Sequence, residues 1–274
     1  ASSGNDSSGI QSTSLSDLQS NLTAYSLGGD LMINHKFAKE HRTLSFRANG
    51  SYGNTDGSSS MLARNIFIEQ DSSYIQDQQT GLKSTSYELD FDLNYTEPLG
   101  EKTMLRLEYE PSVKKEFADQ QTFKLDTIND TYDNLIPNLS TDFASIYTTQ
   151  NAGAGFSYRS ETGTYASVQF NGELARLEAD QNYPYQVAIS RDFTNFLPGA
   201  VLRHRFEGGT RIGVFYRTNT RAPSISQMQN NINNTNPLQL SKGNPDLRQS
   251  YNHNASLFFN SSFKENTQTV HARL

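Results

Sequence analysis

Strict alternation of apolar and polar residues, in stretches of about nine, is the feature that most limits what this chain can become. In YELDFDLNY, Tyr87, Leu89, Phe91, Leu93 and Tyr95 fall on one face of an extended strand, and Glu88, Asp90, Asp92 and Asn94 on the other. A helix would scatter both sets around its circumference. Nine tilted residues is also the length that crosses the roughly 25 Å apolar band of an outer-membrane barrel, whereas strands of soluble domains average about 5 to 6 residues.

The unit recurs in pairs joined by short polar turns. Leu105, Leu107 and Tyr109 alternate with Arg106, Glu108 and Glu110; Val168, Phe170 and Leu174 with Gln169, Asn171 and Glu173; Ile212, Val214 and Tyr216 with Arg211, Gly213 and Arg217. Five hairpins are expected, over about 24–53, 85–114, 143–175, 196–220 and 250–274, with 1–23 an external loop and 24–274 barrel wall. Short turns fall near Lys39, Gly100, Thr162, Gly208 and Glu265. The connections between hairpins, 54–84, 115–142, 175–195 and 221–249, are long and polar. Tight turns at one end and long connections at the other fit an all-β fold, an antiparallel up-and-down transmembrane β-barrel, about ten strands of which lie in this chain. Phe37, Tyr95, Tyr158, Phe206 and Phe263 sit beside the short turns and would form an aromatic girdle where lipid tails meet headgroups.

Composition excludes other classes. Of 274 residues 34% are hydrophobic, and no run of about 18 apolar residues exists to make a membrane helix. A barrel strand needs only every second residue apolar, so outer-membrane lipid remains the expected partner. The net charge of -6 argues against nucleic acid, and the absence of Cys removes thiolate chemistry and Cys-based zinc sites.

Between the fourth and fifth hairpins stand Arg221-Ala222-Pro223-Ser224 and, further on, Gly243-Asn244-Pro245-Asp246-Leu247. The two prolines remove ladder donors and end strand pairing, and Gly243-Asn244 would permit a left-handed turn back into the wall. The pair resembles the RAPS and GNPxL signatures of TonB-dependent outer-membrane receptors. Arg248-Gln249 stands where siderophore receptors commonly have Pro-Glu, which is closer to the nutrient-receptor and outer-membrane β-barrel branches. The resemblance implies a 22-stranded importer in the outer membrane of a Gram-negative bacterium, closed by a plug domain of the same protein and opened by the TonB complex, with a surface lipoprotein as a further candidate partner. No plug-like domain, TonB box or signal peptide is visible, so the chain is expected to be a segment of a larger receptor. The alternative expectation is a non-transporting outer-membrane barrel with a structural or adhesive surface role.

Inward side chains are the candidate ligand contacts: Arg47, Arg106, Arg203, Arg205 and Arg217 as donors; Glu88, Asp90, Asp92, Glu108, Glu110 and Glu173 as acceptors. Arg221, Ala222, Pro223, Gly243, Asn244, Pro245, Asp246 and Leu247 are expected to be structural. Asp126, Asn129, Asp130 and Asp133 lack the spacing and glycine of an EF-hand and read as a solvated acidic loop rather than a metal site. No nucleophile elbow accompanies the five histidines, so neither catalysis nor a cofactor is expected.

Overall fold

The computed structural model describes every residue except 1, 7–8, 68–71, 184, 229–231, 234–239, 264–267 and 274. Its strands are β1 (Ser2–Asp6), β2 (Gly9–Lys36), β3 (Thr43–Phe67), β4 (Ser72–Pro98), β5 (Thr103–Asp126), β6 (Thr131–Leu135), β7 (Thr141–Arg159), β8 (Thr164–Tyr183), β9 (Val187–Arg205), β10 (Arg211–Arg221), β11 (Ile232–Asn233), β12 (Ser241–Lys242), β13 (Ser250–Phe263) and β14 (Gln268–Arg273). One helical turn, α1 (Ile225–Met228), follows β10. Twelve strands form one antiparallel sheet in the order β1-β2-β3-β4-β5-β7-β8-β9-β10-β13-β14, with β6 folded onto β5. Chain neighbours are sheet neighbours, the up-and-down order that the pairing of alternating segments called for. Among the described residues β1 and β14 do not meet, so the sheet is an open, curved wall.

Each of the four short turns among the described residues closes with a backbone bond, Phe37 N–H to Arg42 O at 3.1 Å, Leu99 to Thr103 at 2.9 Å, Ser160 to Thr164 at 2.8 Å and Phe206 to Thr210 at 2.9 Å; the turn expected near Glu265 lies outside the described residues. His41, Gly163 and Gly209 take the left-handed conformations these reversals need. Two turns are cross-linked through Glu97. Its carboxylate accepts from Lys39 Nζ at 2.6 Å, from Arg42 Nε and Nη2 at 2.7 and 2.8 Å, and from Tyr95 OH at 2.6 Å. These donors hold the Glu97 carboxyl far below the usual carboxylate range, the Arg42 fork contributing most.

The upper half of the wall departs from the sequence expectation. Within 1–23, expected as an external loop, Ser2–Asp6 is β1 and β2 begins at Gly9. The supposed 54–84 connection is almost entirely paired strand, with β3 and β4 in unbroken register from Thr43↔Thr96 to Phe67↔Ser72. In 115–142, β5 continues to Asp126; in 175–195, β8 continues to Tyr183 and β9 starts at Val187. At about 3.3 Å per residue the 24 to 28 residues of β2 to β5 extend about 80 to 90 Å, far more than the bilayer requires. Polar sequence hid these extensions. The buried face of these extensions is itself largely polar, with Ser14, Asn65, Gln78 and Thr122 beside Met61 and Ala63, so no apolar alternation marks it.

Strand β8 records where the wall leaves lipid. Up to Leu174 the outer residues are apolar (Val168, Phe170, Leu174) and the inner ones polar (Gln169, Asn171, Glu173); beyond it Ala175, Leu177 and Ala179 are buried inside while Arg176, Glu178 and Asp180 face out. The phase inverts without a bulge. About ten residues separate the turn at Thr164 from that inversion, which matches one tilted crossing of the apolar band. On the outer face Phe37, Tyr158 and Phe206 are exposed beside the turns, and Tyr95 lies 6.3 Å edge-on from Phe37. The Phe263 side chain lies outside the described residues. A second aromatic row at the far boundary, Tyr25–Tyr52–Tyr87 with ring centroids 5.9 and 5.0 Å apart, completes the belt on β2 to β4.

Candidate functional site

The inner face of the wall is organised around two buried carboxylates. Glu108 on β5 and Glu173 on β8 are each 7% exposed. Glu108 accepts from Gln169 Nε2 and Asn171 Nδ2, with Arg106 Nε at 3.7 Å. These donors reach across the intervening strand β7, because the residue registered with both Glu108 and Asn171 is Gly153. A Cβ there would overlap the Asn171 carboxamide. The AGAG stretch 152–155 thus places small residues outward and no side chain inward, where the bond must pass.

Glu173 is held by three donors: Asn195 Nδ2 at 3.0 Å, Thr220 Oγ1 at 2.7 Å and Gln249 Nε2 at 2.9 Å. Gln249 Nε2 also meets Tyr147 OH at 2.7 Å, and its Oε1 accepts from Asn195 at 2.7 Å. Gln249, two residues after the Gly243–Leu247 motif, therefore reaches inward to the wall and ties β7, β8 and β9 together. Charge-assisted bonds of this kind are the stronger class. Sequence alone offered no signal for a contact between residues 102 positions apart.

Two adjoining cavities follow the same face. One of about 350 Å³ is lined by Glu108, Glu110, Asn171, Glu173, Arg217 and Thr220 among others, and the next, about 330 Å³, includes Arg47, Asp90 and Asp92; they share Glu110, Asn151 and Glu173. Asp92 accepts from Asn94, whose Oδ1 accepts from Arg106 Nε at 2.8 Å. Of the anticipated contacts, Arg47, Asp90, Asp92, Glu108 and Arg217 line this trench; Arg106 braces it. Glu88 is half-buried on the same face, one inward step farther from the turns. Arg203 and Arg205 lie apart, at the turn end of β9.

The motif residues join two halves of the 221–249 connection. Arg221 ends β10, Ala222 and Pro223 are half-buried, and α1 follows Ser224, whose carbonyl accepts from Gln227 and Met228 N–H at 3.1 and 3.2 Å. Met228 is 1% exposed and packs inside the wall on Phe143, Leu177 and Ala179, with Tyr147, Ile189 and Phe193 around them. Asn244 N–H donates to Gln227 O at 2.6 Å, and Asp246 Oδ1 lies 3.2 Å from Arg191 Nη2. The expected left-handed turn at Gly243-Asn244 is absent: neither residue has positive φ. The Asn244 side chain makes the turn instead, accepting Asp246 N–H at 2.9 Å, while Leu247 N–H closes on Asn244 O at 3.3 Å. In the acidic loop, Asp126 is turned onto its own backbone by Ile128 N–H at 2.9 Å and Asn129 Nδ2 at 2.8 Å, which lowers its carboxyl below the ordinary range.

A wall apolar outside over one bilayer thickness, carboxylate- and amide-lined inside, and turned tightly at one end is a transmembrane β-barrel wall in contact with lipid. Residues 35–273 match the model of the outer membrane protein beta-barrel family, and the chain belongs to that family, in the outer membrane of a Gram-negative bacterium. No curated protein matches it. Among solved structures, the ferric yersiniabactin uptake receptor FyuA from Yersinia pestis is similar over 85% of this chain and 35% of its own, with a TM-score of 0.46 and 8% identity. The translocator domain of the autotransporter NalP from Neisseria meningitidis is similar over 92% of this chain and 79% of its own, with a TM-score of 0.36 and 9% identity. The chain thus spans about a third of the length of the receptor.

Proposed function

We propose that this wall belongs to a TonB-dependent receptor that captures a polar nutrient and imports it past the inner-face trench. The observation that carries the reading is the trench itself: two adjoining cavities on the face away from lipid, with buried carboxylates held by amides and by the inturned 221–249 connection. Arg47, Glu88, Asp90, Asp92, Arg106, Glu108 and Arg217 would meet the ligand or a plug domain; Arg221–Pro223 and Gly243–Leu247 would hold the connection in place. On this reading the chain is not an enzyme and uses no cofactor, and its partners are lipid, plug, TonB complex and a surface lipoprotein. The test is growth on limiting nutrient mixtures of cells producing the whole protein, with and without the inner-membrane TonB complex. Growth or uptake that requires both supports import, and uptake indifferent to the complex rejects it. The second reading, an adhesive or structural barrel, draws on the long ribbons of β2 to β5 beyond the bilayer, and predicts surface binding without any uptake.

A further inference from the structure

The turn end of the inner face carries a different chemistry from the trench. Across β7, β8, β9, β10 and β13 runs a ladder of guanidinium groups and rings. Arg159 Cζ lies 5.6 Å from the Tyr165 ring, Arg203 Cζ lies 5.2 Å from Tyr165 and 5.3 Å from Phe215, and Phe215 stacks on Phe258 at 5.6 Å. Gly213 makes the last step possible, since a Cβ there would overlap the Phe258 ring. Beside the ladder, Arg205 and Arg211 are direct partners across β9 and β10 on the same inner face. Like charges placed opposite one another repel. None of Arg159, Arg203, Arg205 or Arg211 forms an ion pair among the described residues; Glu161, the carboxylate of the neighbouring turn, is taken by Lys102 at 3.0 Å.

A guanidinium lying on a ring has its face covered and its planar N–H edge free, and stacking restricts the rotamers it would otherwise lose on binding. Two such edges border a cavity of about 400 Å³ lined by Arg159, Ser160, Gly163, Thr164, Tyr165 and Arg203. The Ser160 hydroxyl is engaged by Thr162 and the Thr164 hydroxyl by His204, so the two forked donors are what face this space, and such a pair suits a carboxylate or phosphate group. We infer that this cavity is an oxyanion site for a small solute bearing such a group, with Arg159 and Arg203 as the fork donors and the Arg205–Arg211 pair supplying further positive charge. The inference requires only the inner-face assignment and not import, so its failure would leave the proposed function standing.

The experiment is calorimetric titration of the detergent-folded whole protein with inorganic phosphate and, separately, with citrate, at fixed ionic strength. Saturable heat with either probe is expected, and the arm that binds tighter distinguishes phosphate from carboxylate chemistry. Arg159→Gln and Arg203→Lys should each weaken binding about tenfold, because a lysine keeps the charge but not the planar fork. Arg64→Gln, on the outer face of β3, should change nothing. Absence of saturable binding by both probes, or Arg203→Lys binding like the parent, overturns the assignment. Should Arg203→Lys fail to fold, Arg159→Lys at the end of β7 makes the same discrimination.

Discussion

Two residues show how local geometry sets measurable energies in this wall. Gly153 sits between Glu108 and Asn171, with no room for a methyl group. Gly153→Ala should therefore displace the amide from a carboxylate that is 7% exposed and cost about 1 to 3 kcal/mol, read as a lower urea midpoint. Gly81→Ala, where a Cβ meets nothing within 4 Å, is the control and should leave the midpoint in place. Glu97 makes a prediction in pH. Its folded pKa is depressed from an ordinary 4.5, so folding binds fewer protons than unfolding, and the clamp's contribution is fully present above that value and lost as pH falls below it. The stability gap between the parent and Glu97→Gln should be greatest near neutral pH and shrink below about pH 4.5, where the unfolded parent takes up the proton that the clamped carboxylate refuses. A gap that stays constant from pH 7 to pH 3 would mean that the Lys39 and Arg42 contacts contribute nothing through charge.

For the strands, what could be read in advance was the part that touches lipid. Tyr87, Leu89, Phe91 and Leu93 alternate because one face meets hydrocarbon, and the structure leaves that face exposed. Leu89→Arg should cost about 2 to 4 kcal/mol of membrane-folded stability, with Asp90→Leu nearly neutral; equal effects would contradict the face assignment. Beyond the bilayer that signal ends, and Ser58–Phe67 and Ser72–Gly81 read as loop although they pair residue for residue. The reversal in GELARLEAD was legible: the same strand turns its apolar side inward after Leu174. Reading 175–195 as a connection concealed it. The inturned connection had no local signature, since Met228 and Gln249 acquire their roles only when β7, β8 and β9 stand side by side. Met228→Asp would bury a charge against Phe143 and Leu177, and faster protease cleavage within 221–249, with the hairpins intact, is the expected outcome.

At the scale of the whole wall, the open edge decides what this chain can be by itself. Between Leu15 and Lys36, β2 pairs with β3 on one side, and among the described residues no strand lies on its other side. In an antiparallel edge strand, alternate N–H groups point to the neighbour and the rest point away. A hydrocarbon environment does not tolerate the second set unpaired, so a functional barrel must supply them with partners from further strands. In detergent micelles, amides of β2 in this chain should therefore exchange hydrogen with a two-residue period, slow where bonded to β3 and fast where turned outward, while β7, and β8 up to Gln181, paired on both sides, exchange slowly throughout. In the whole barrel the period in β2 should disappear. Uniform protection of β2 in the dilute isolated chain would show instead that this edge finds a partner without further strands, and the wall would then have to close on itself or on a second copy.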